Sequence, residues 1–206
     1  MLDIRTGYRS LDSQGGWLSD CVSVLQMSTS GFLSGFQRLP KLVVFDLDFT
    51  LWPLWCDTHV SPPFVRKNNV VYDSYESRVD VYPDSDKILR VIKASTTMKL
   101  ACASRTAAIR VAEQLLQILG WSDLFDYKAI YPGCKITHFK RFHELSGIEY
   151  ADMVFFDDEE RNINDISRLG VQCHLVERGI TWNLFEQALK QFERKGKQTN
   201  MHTPIH

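Results

Sequence analysis

The 206-residue sequence is 44% hydrophobic and 12% aromatic, enough for one buried core and short for two. Lys plus Arg number 24 against 25 Asp plus Glu, so the formal charge of −1 offers no electrostatic basis for partnering nucleic acid or an anionic membrane. Cys21, Cys56, Cys102, Cys134 and Cys173 form no C-x-x-C pair, which argues against a disulfide framework or zinc site and for a cytoplasmic location, with the nucleus as alternative.

Residues 1–39 are rich in Ser and Gly, with apolar residues at no sustained period, and read as a weakly ordered N-terminal extension. Arg5, Arg9 and Arg38 would suit a transit peptide, but Asp3, Asp12 and Asp20 offset them. A start at Met27 is the alternative for this end. No apolar run approaches the roughly 20 residues that span a bilayer, so a soluble protein is expected.

From Pro40 the pattern changes, and residues 40–194 are expected to form the folded domain. "LVVF" (42–45) is a continuous apolar strand that runs into Asp46 and Asp48. Residues 60–82 then show two β-like runs around "KNN", whose Asn residues tolerate positive φ, and predict a small hairpin flap over the first strand's end. "PDSDKILRVIKAS" places Ile88, Leu89 and Ile92 on one helical face. "KLACA" (99–103) is the next strand, and "TAAIRVAEQLLQILG" a helix stopped by Gly120. "THFKRFHELSG" predicts a helix capped by Thr137, with Lys135 just ahead of it. Strands "MVFF" (153–156) and "VQCHLV" (171–176) follow, separated by the helix "ERNINDISRLG". "TWNLFEQALKQFERK" closes the domain before a flexible tail over 195–206. This alternation predicts an α/β fold, a Rossmann-like doubly wound parallel sheet whose ligands bind beyond the C-terminal strand ends.

The residues following the strands therefore converge on one rim: Asp46 and Asp48, Ser104 and Arg105, Asp157 and Asp158, with Lys135 within reach. Carboxylates packed this closely need a cation, and an all-oxygen set with few protein ligands suits Mg²⁺. The donors Ser104, Arg105 and Lys135 suit a phosphoryl group, whose oxygens need hydrogen bonds and neutralisation. Phosphate monoester hydrolysis is so slow uncatalysed, with accelerations up to about 10²¹, that nucleophile, acid/base, metal and cation must act together.

"DLDFT" (46–50), "ASRT" (103–106), Lys135 and "FFDDEERN" (155–162) resemble, in order, the motifs of the haloacid dehalogenase (HAD) superfamily of phosphohydrolases. "FDLDFTLWPLWCDTHVSPPF", "IYPGCKITHF" and "MVFFDDEERNI" are similar to the magnesium-dependent phosphatase 1 family, over about residues 38–192. The resemblance implies Asp46 as nucleophile, forming an aspartyl-phosphate, and Asp48 as the acid that protonates the leaving oxygen and then activates water. It implies Mg²⁺ held by the Asp46 side chain, the Asp48 backbone carbonyl and the Asp158 side chain, with Asp157 and Thr50 supporting them from behind. Ser104 and backbone N–H groups near Leu47 and Arg105 would bind the phosphoryl oxygens, and Lys135 would offset their charge. Whether Arg105 acts through its side chain or its backbone stays open. The family further implies a small flap and no large cap domain. The expected substrate is a phosphotyrosine peptide or a phosphorylated sugar or sugar amine, and the expected state a monomer. Trp52, Trp55, His59, Phe64, Tyr72 and Tyr75 are candidates to stack on a substrate ring, although Trp52 and Trp55 also suit packing.

Other readings fit less well. The D-x-D of a sugar-nucleotide transferase lacks the matching Ser, Lys and Asp-Asp set, and a receiver domain carries its acidic pair early, not late. No cysteine begins the C-x₅-R loop of cysteine-dependent tyrosine phosphatases. A phosphotransferase, or a non-catalytic phospho-ligand binding module, remains as the alternative to a hydrolase.

Overall fold

A computed structural model of the chain describes residues 31–200, and the remaining residues, including Cys21 and most of the expected extension, lie outside the description. In chain order the elements are β1 (Leu42–Phe45), β2 (Val65–Lys67), β3 (Val70–Tyr72), β4 (Arg78–Val79), α1 (Ser85–Lys93), β5 (Lys99–Ser104) and α2 (Ile109–Ile118). β6 (Tyr127–Ile130), α3 (Lys135–Ser146), β7 (Met153–Asp157), α4 (Glu160–Ser167), β8 (Gln172–Leu175) and α5 (Trp182–Asn200) complete it.

Five strands form one parallel sheet in the order β6-β5-β1-β7-β8, with Phe45 opposite Cys102 on one side and Phe156 on the other. Every side chain of β1 is buried because both faces of the sheet are covered. Val43, Phe45, Leu100, Cys102, Val154 and Phe156 pack on α1, α2 and α5, whereas Leu42, Val44, Ala101, Ala103, Met153 and Phe155 pack on α3 and α4. Phe156 stacks between Phe45 (centroids 5.0 Å apart) and His174 (5.3 Å), so Phe156→Ala is expected to cost about 3–5 kcal/mol. After β6 the chain returns across β1 to start β7. That reversal opens a crevice at the C-terminal ends of β1 and β7, as in other doubly wound sheets.

The expected fold holds, with five differences. β6 was not among the predicted strands: it is an edge strand paired only to β5, and its exposed Lys128 interrupts the apolar run. The flap is a three-stranded antiparallel sheet. Its β2–β3 turn is Asn68-Asn69 with φ 49° and 64°, as the hairpin expectation required, and the two-residue β4 is too short to show a period. Helix α3 begins at Lys135, not after Thr137; Cys134 is its N-cap, and the Thr137 hydroxyl donates back to the Cys134 carbonyl at 2.6 Å. Finally, residues 31–39, expected within the extension, pack on the domain: Phe32 lies 4.7 Å from the Trp182 ring and the Arg38 guanidinium 4.5 Å over Phe192. The helix α5 likewise runs through residues 195–200 of the expected tail. No helix among the described residues is long and apolar enough to cross a membrane, and Cys56, Cys102, Cys134 and Cys173 are free thiols.

Candidate active site

The β1 strand does not simply stop at its carboxylates. Asp46 still donates its N–H to the Phe156 carbonyl (2.9 Å), and the chain then turns around one acceptor. The Leu47 carbonyl receives the N–H groups of Thr50 (3.2 Å), Leu51 (2.8 Å) and Trp52 (3.4 Å), while Phe49 sits at φ 53°, a left-handed conformation costly for a bulky residue. Three further bonds clamp the turn from outside: Tyr82 N–H and Ser85 Oγ donate to the Leu51 carbonyl at 3.1 and 2.8 Å, and Ile180 N–H to the Thr50 carbonyl at 2.9 Å. Next to Ile180, Gly179 has φ 80°, and a Cβ there would fall 2.3 Å from the Tyr82 ring. Thr50 is buried and braces the turn through its backbone; its hydroxyl has no hydrogen-bond partner among the described residues.

Lys135 lies under this turn, almost wholly buried. Its ammonium donates to Asp46 Oδ1, to Asp157 Oδ2 (2.6 Å) and to the Ala103 carbonyl (2.6 Å). All three of its protons are thus used. Burial alone would lower its pKa, but Asp46 and Asp157 raise it, so the ammonium stays charged. Asp157 is fully buried: Oδ1 accepts from Glu159 N–H (2.7 Å) and Asn162 Nδ2 (3.0 Å), and Nδ2 also reaches Oδ2 (3.1 Å). It is the carboxylate most occupied by protein donors, which fits a supporting position.

Burial pushes the Asp46 carboxyl up to about 8; Lys135 pulls it down and Asp157 pushes it up further. Burial, then Asp157, raises Asp158 to about 6. Carboxyl oxygens of Asp46, Asp157 and Asp158 lie within 4.8 Å of one another. Three carboxylates facing one ammonium leave negative charge uncompensated in a poorly hydrated place, and the donors are all oxygen. That set fits a hard divalent cation such as Mg²⁺, which keeps waters in its remaining positions.

Asp48 is held differently. Its Oδ1 accepts the Trp52 indole N–H at 2.6 Å and its Oδ2 the Cys56 N–H at 3.3 Å. Burial raises its pKa, partly offset by those two donors.

These carboxylates open on a cleft of about 330 Å³ that Ser104, Arg105, Lys135 and Asp158 also line. Ser104 is buried, and its Oγ accepts the Thr106 N–H at 3.4 Å. Arg105 is tied back by Nε to the Gly133 carbonyl (2.8 Å) and by Nη1 to Glu159 (3.3 Å). Leu47 is buried and is not among the residues that line the cleft.

Of the expected site residues, Asp46, Asp48, Ser104, Arg105, Lys135 and Asp158 line one cleft, Asp157 lies behind them on Lys135, and Leu47 and Thr50 are not among its lining. Of the six candidate aromatic groups, Trp55 lines the cleft, half exposed and edge-on to Phe49 at 5.1 Å; Trp52 is buried. The sequence reading missed Asn162, although it stands inside "FFDDEERN", and Glu159 and Arg161, which also line the cleft.

Residues 38–195 match the family model described as Acid Phosphatase. The chain is 45% identical over 158 residues to "Magnesium-dependent phosphatase 1" of Homo sapiens, covering 76% of this chain and 89% of that protein. A HAD-like hydrolase superfamily protein of Schizosaccharomyces pombe is 44% identical over 146 residues, covering 65% and 84%. Among solved structures, the phosphatase-domain-containing N-terminal part of a Bacteroides fragilis protein, complexed with Mg, superposes with a TM-score of 0.57 at 14% identity. It covers 83% of this chain and 44% of that one, a likeness of fold.

Proposed function

The chain belongs to the Acid Phosphatase family, within the haloacid dehalogenase superfamily, and from that membership we propose a magnesium-dependent phosphatase that works through an aspartyl-phosphate on Asp46. One observation carries the reading: the buried Lys135 ammonium joins Asp46 and Asp157 at the head of a cleft shared with Asp158, Asp48 and Ser104.

A phosphate monoester enters with its phosphoryl oxygens toward Ser104, Lys135 and the backbone N–H groups after Asp46 and Ser104. Asp46 and Asp158, with the Asp48 backbone carbonyl, would hold Mg²⁺, which when bound neutralises charge on the carboxylates and the phosphoryl oxygens. An Asp46 carboxylate oxygen attacks phosphorus in line; the ester P–O bond breaks, and Asp48 gives its proton to the departing oxygen. Asp48, now a carboxylate, takes a proton from water as that water attacks the acyl phosphate. Inorganic phosphate leaves and Asp46 is regenerated. Lys135 lowers the Asp46 pKa against the effect of burial and aims its carboxyl group, and Asn162 and Glu159 fix Asp157 behind it.

Among the described residues no large cap covers the cleft and no residue of the three-stranded flap lines it, so a phosphotyrosine side chain on a peptide, or a phosphorylated sugar or sugar amine, can enter from solvent. Trp55 at the wall is the group placed to stack on either. A cytoplasmic monomer remains the proposed setting.

Hydrolysis of p-nitrophenyl phosphate by the purified protein, with Mg²⁺ and with EDTA, beside Asp46→Asn and Asp48→Asn, tests the reading. Metal-dependent phosphate release, absent in Asp46→Asn and reduced about 10²-fold or more in Asp48→Asn, is expected. Phosphate binding without turnover would make the chain a binding module, and transfer to added alcohols in place of phosphate release would make it a phosphotransferase.

A further inference from the structure

Asp48 has two oxygens, and the structure treats them unequally. Oδ1 receives the Trp52 indole N–H at 2.6 Å; Oδ2 receives the longer Cys56 N–H contact at 3.3 Å. An indole N–H only donates, so an oxygen bound to it has to accept, and a carboxyl proton sits more readily on the other oxygen. Trp52 is itself fixed: fully buried, parallel to the Trp121 ring at 6.2 Å and 5°, with Trp121 Nε1 anchored on Asp86 at 2.9 Å. The two stacked indoles form a rigid bracket behind the carboxyl group.

We propose that Trp52 is a positioning residue for proton transfer, its N–H holding Asp48 Oδ1 so that Oδ2 faces the cleft as the oxygen that gives the proton to the leaving group. The inference rests on the phosphatase reading, with Asp48 as acid. A held carboxyl matters most when the leaving oxygen is strongly basic and cannot depart without a proton, as in an alkyl phosphate. It matters least for p-nitrophenolate, which departs as an anion.

The test is kcat/KM for p-nitrophenyl phosphate and for glycerol 2-phosphate, because that ratio covers the steps up to ester cleavage. It is measured in the wild type, in Trp52→Phe, and in a protein carrying 3-benzothienylalanine at 52, which keeps the bicyclic shape and lacks the N–H. Trp121→Phe serves as control, since it loosens the stack and keeps the donor. Both replacements at 52 are expected to lose about 10²-fold on the alkyl ester and less than about tenfold on the aryl ester, whereas Trp121→Phe changes the two equally. An equal loss on both esters at position 52, or none, overturns the inference, and if Trp52→Phe fails to fold, the isosteric replacement decides alone. Absence of wild-type turnover on both esters would instead overturn the phosphatase reading itself.

Discussion

Strands β1 and β7 carry a carboxylate bound to cations at each end, and the two ends behave oppositely. At the N-terminal end, Asp152 accepts from Arg38 (3.0 Å) and Lys41 (2.8 Å) near the surface. Burial would raise its pKa, but those bonds hold it below the usual carboxylate range. At the C-terminal end, Asp46 and Asp157 share Lys135 in the interior, and burial drives the Asp46 carboxyl up to about 8. One cluster has more cations than carboxylates and keeps water; the other has too few cations and little water. The first ties residues 38 and 41 to the sheet, and the second stores unfavourable charge that a divalent cation and a phosphoryl group can use.

Four experiments can break or sharpen that contrast. Asp46→Asn should lower kcat by about 10⁴-fold or more and leave the thermal midpoint unchanged or raised, because it leaves Lys135 matched one to one with Asp157. A large loss of stability in that variant, read by calorimetry, would undo the argument. Lys135→Met strands two buried carboxylates beside each other. It should abolish measurable turnover and lower metal-free stability by about 3–5 kcal/mol in urea titrations, a deficit that Mg²⁺ partly restores.

A third probe reads a buried titratable group on α3, beside the inner cluster. His138 shares a ring contact with Tyr131 at 4.2 Å and, as a neutral donor, gives its Nε2 proton to the Tyr131 carbonyl (3.1 Å), leaving buried Nδ1 without a hydrogen-bond partner among the described residues. Burial first, then the Lys135 charge, lowers its pKa to about 4 from 6.5. Between these values the unfolded chain binds the proton and the folded one does not, so stability falls as pH drops from 6.5 to about 4. The contribution is on the order of 3 kcal/mol, and His138→Gln should flatten that part of the pH–stability profile. The smallest effect is expected of Asp152→Asn. With its partners largely solvated, it should cost about 1 kcal/mol or less at neutral pH, with kcat unchanged. Since the folded pKa of Asp152 is depressed, the difference is present above the unfolded value of about 3.9 and disappears as pH falls below it.

How far the sequence foretold these features depends on how local the signal was. "LVVF" and "MVFF" were readable as strands because both faces of the sheet are covered and no polar residue interrupts them. "YKAI" was not, because an edge strand paired on one side tolerates Lys128. The site carboxylates were readable because each follows a strand directly. Lys135 was placed one structural step away from its actual position as first residue of α3, because Thr137 carries the usual N-cap preference yet turns its hydroxyl backward. Asn162 and Trp52 were unreadable as partners of Asp157 and Asp48. An Asn in a helix and a Trp in a loop look the same in sequence whether they face solvent, core or a carboxylate. Residues 31–39 hid their role for a similar reason: Phe32 and Phe36 have no period until α5 supplies the surface they cover.

Gly179 belongs to none of the motifs and is absent from the walls of the cleft. It allows the Tyr82 ring to lie against the backbone, and the Tyr82 N–H in turn grips the carbonyl of Leu51 in the turn that carries Asp48. In an inherited variant, a side chain at 179 would leave every catalytic group intact by sequence and still shift the geometry between them. Such a lesion would look like an active-site defect to an assay and like a neutral loop change to a motif search.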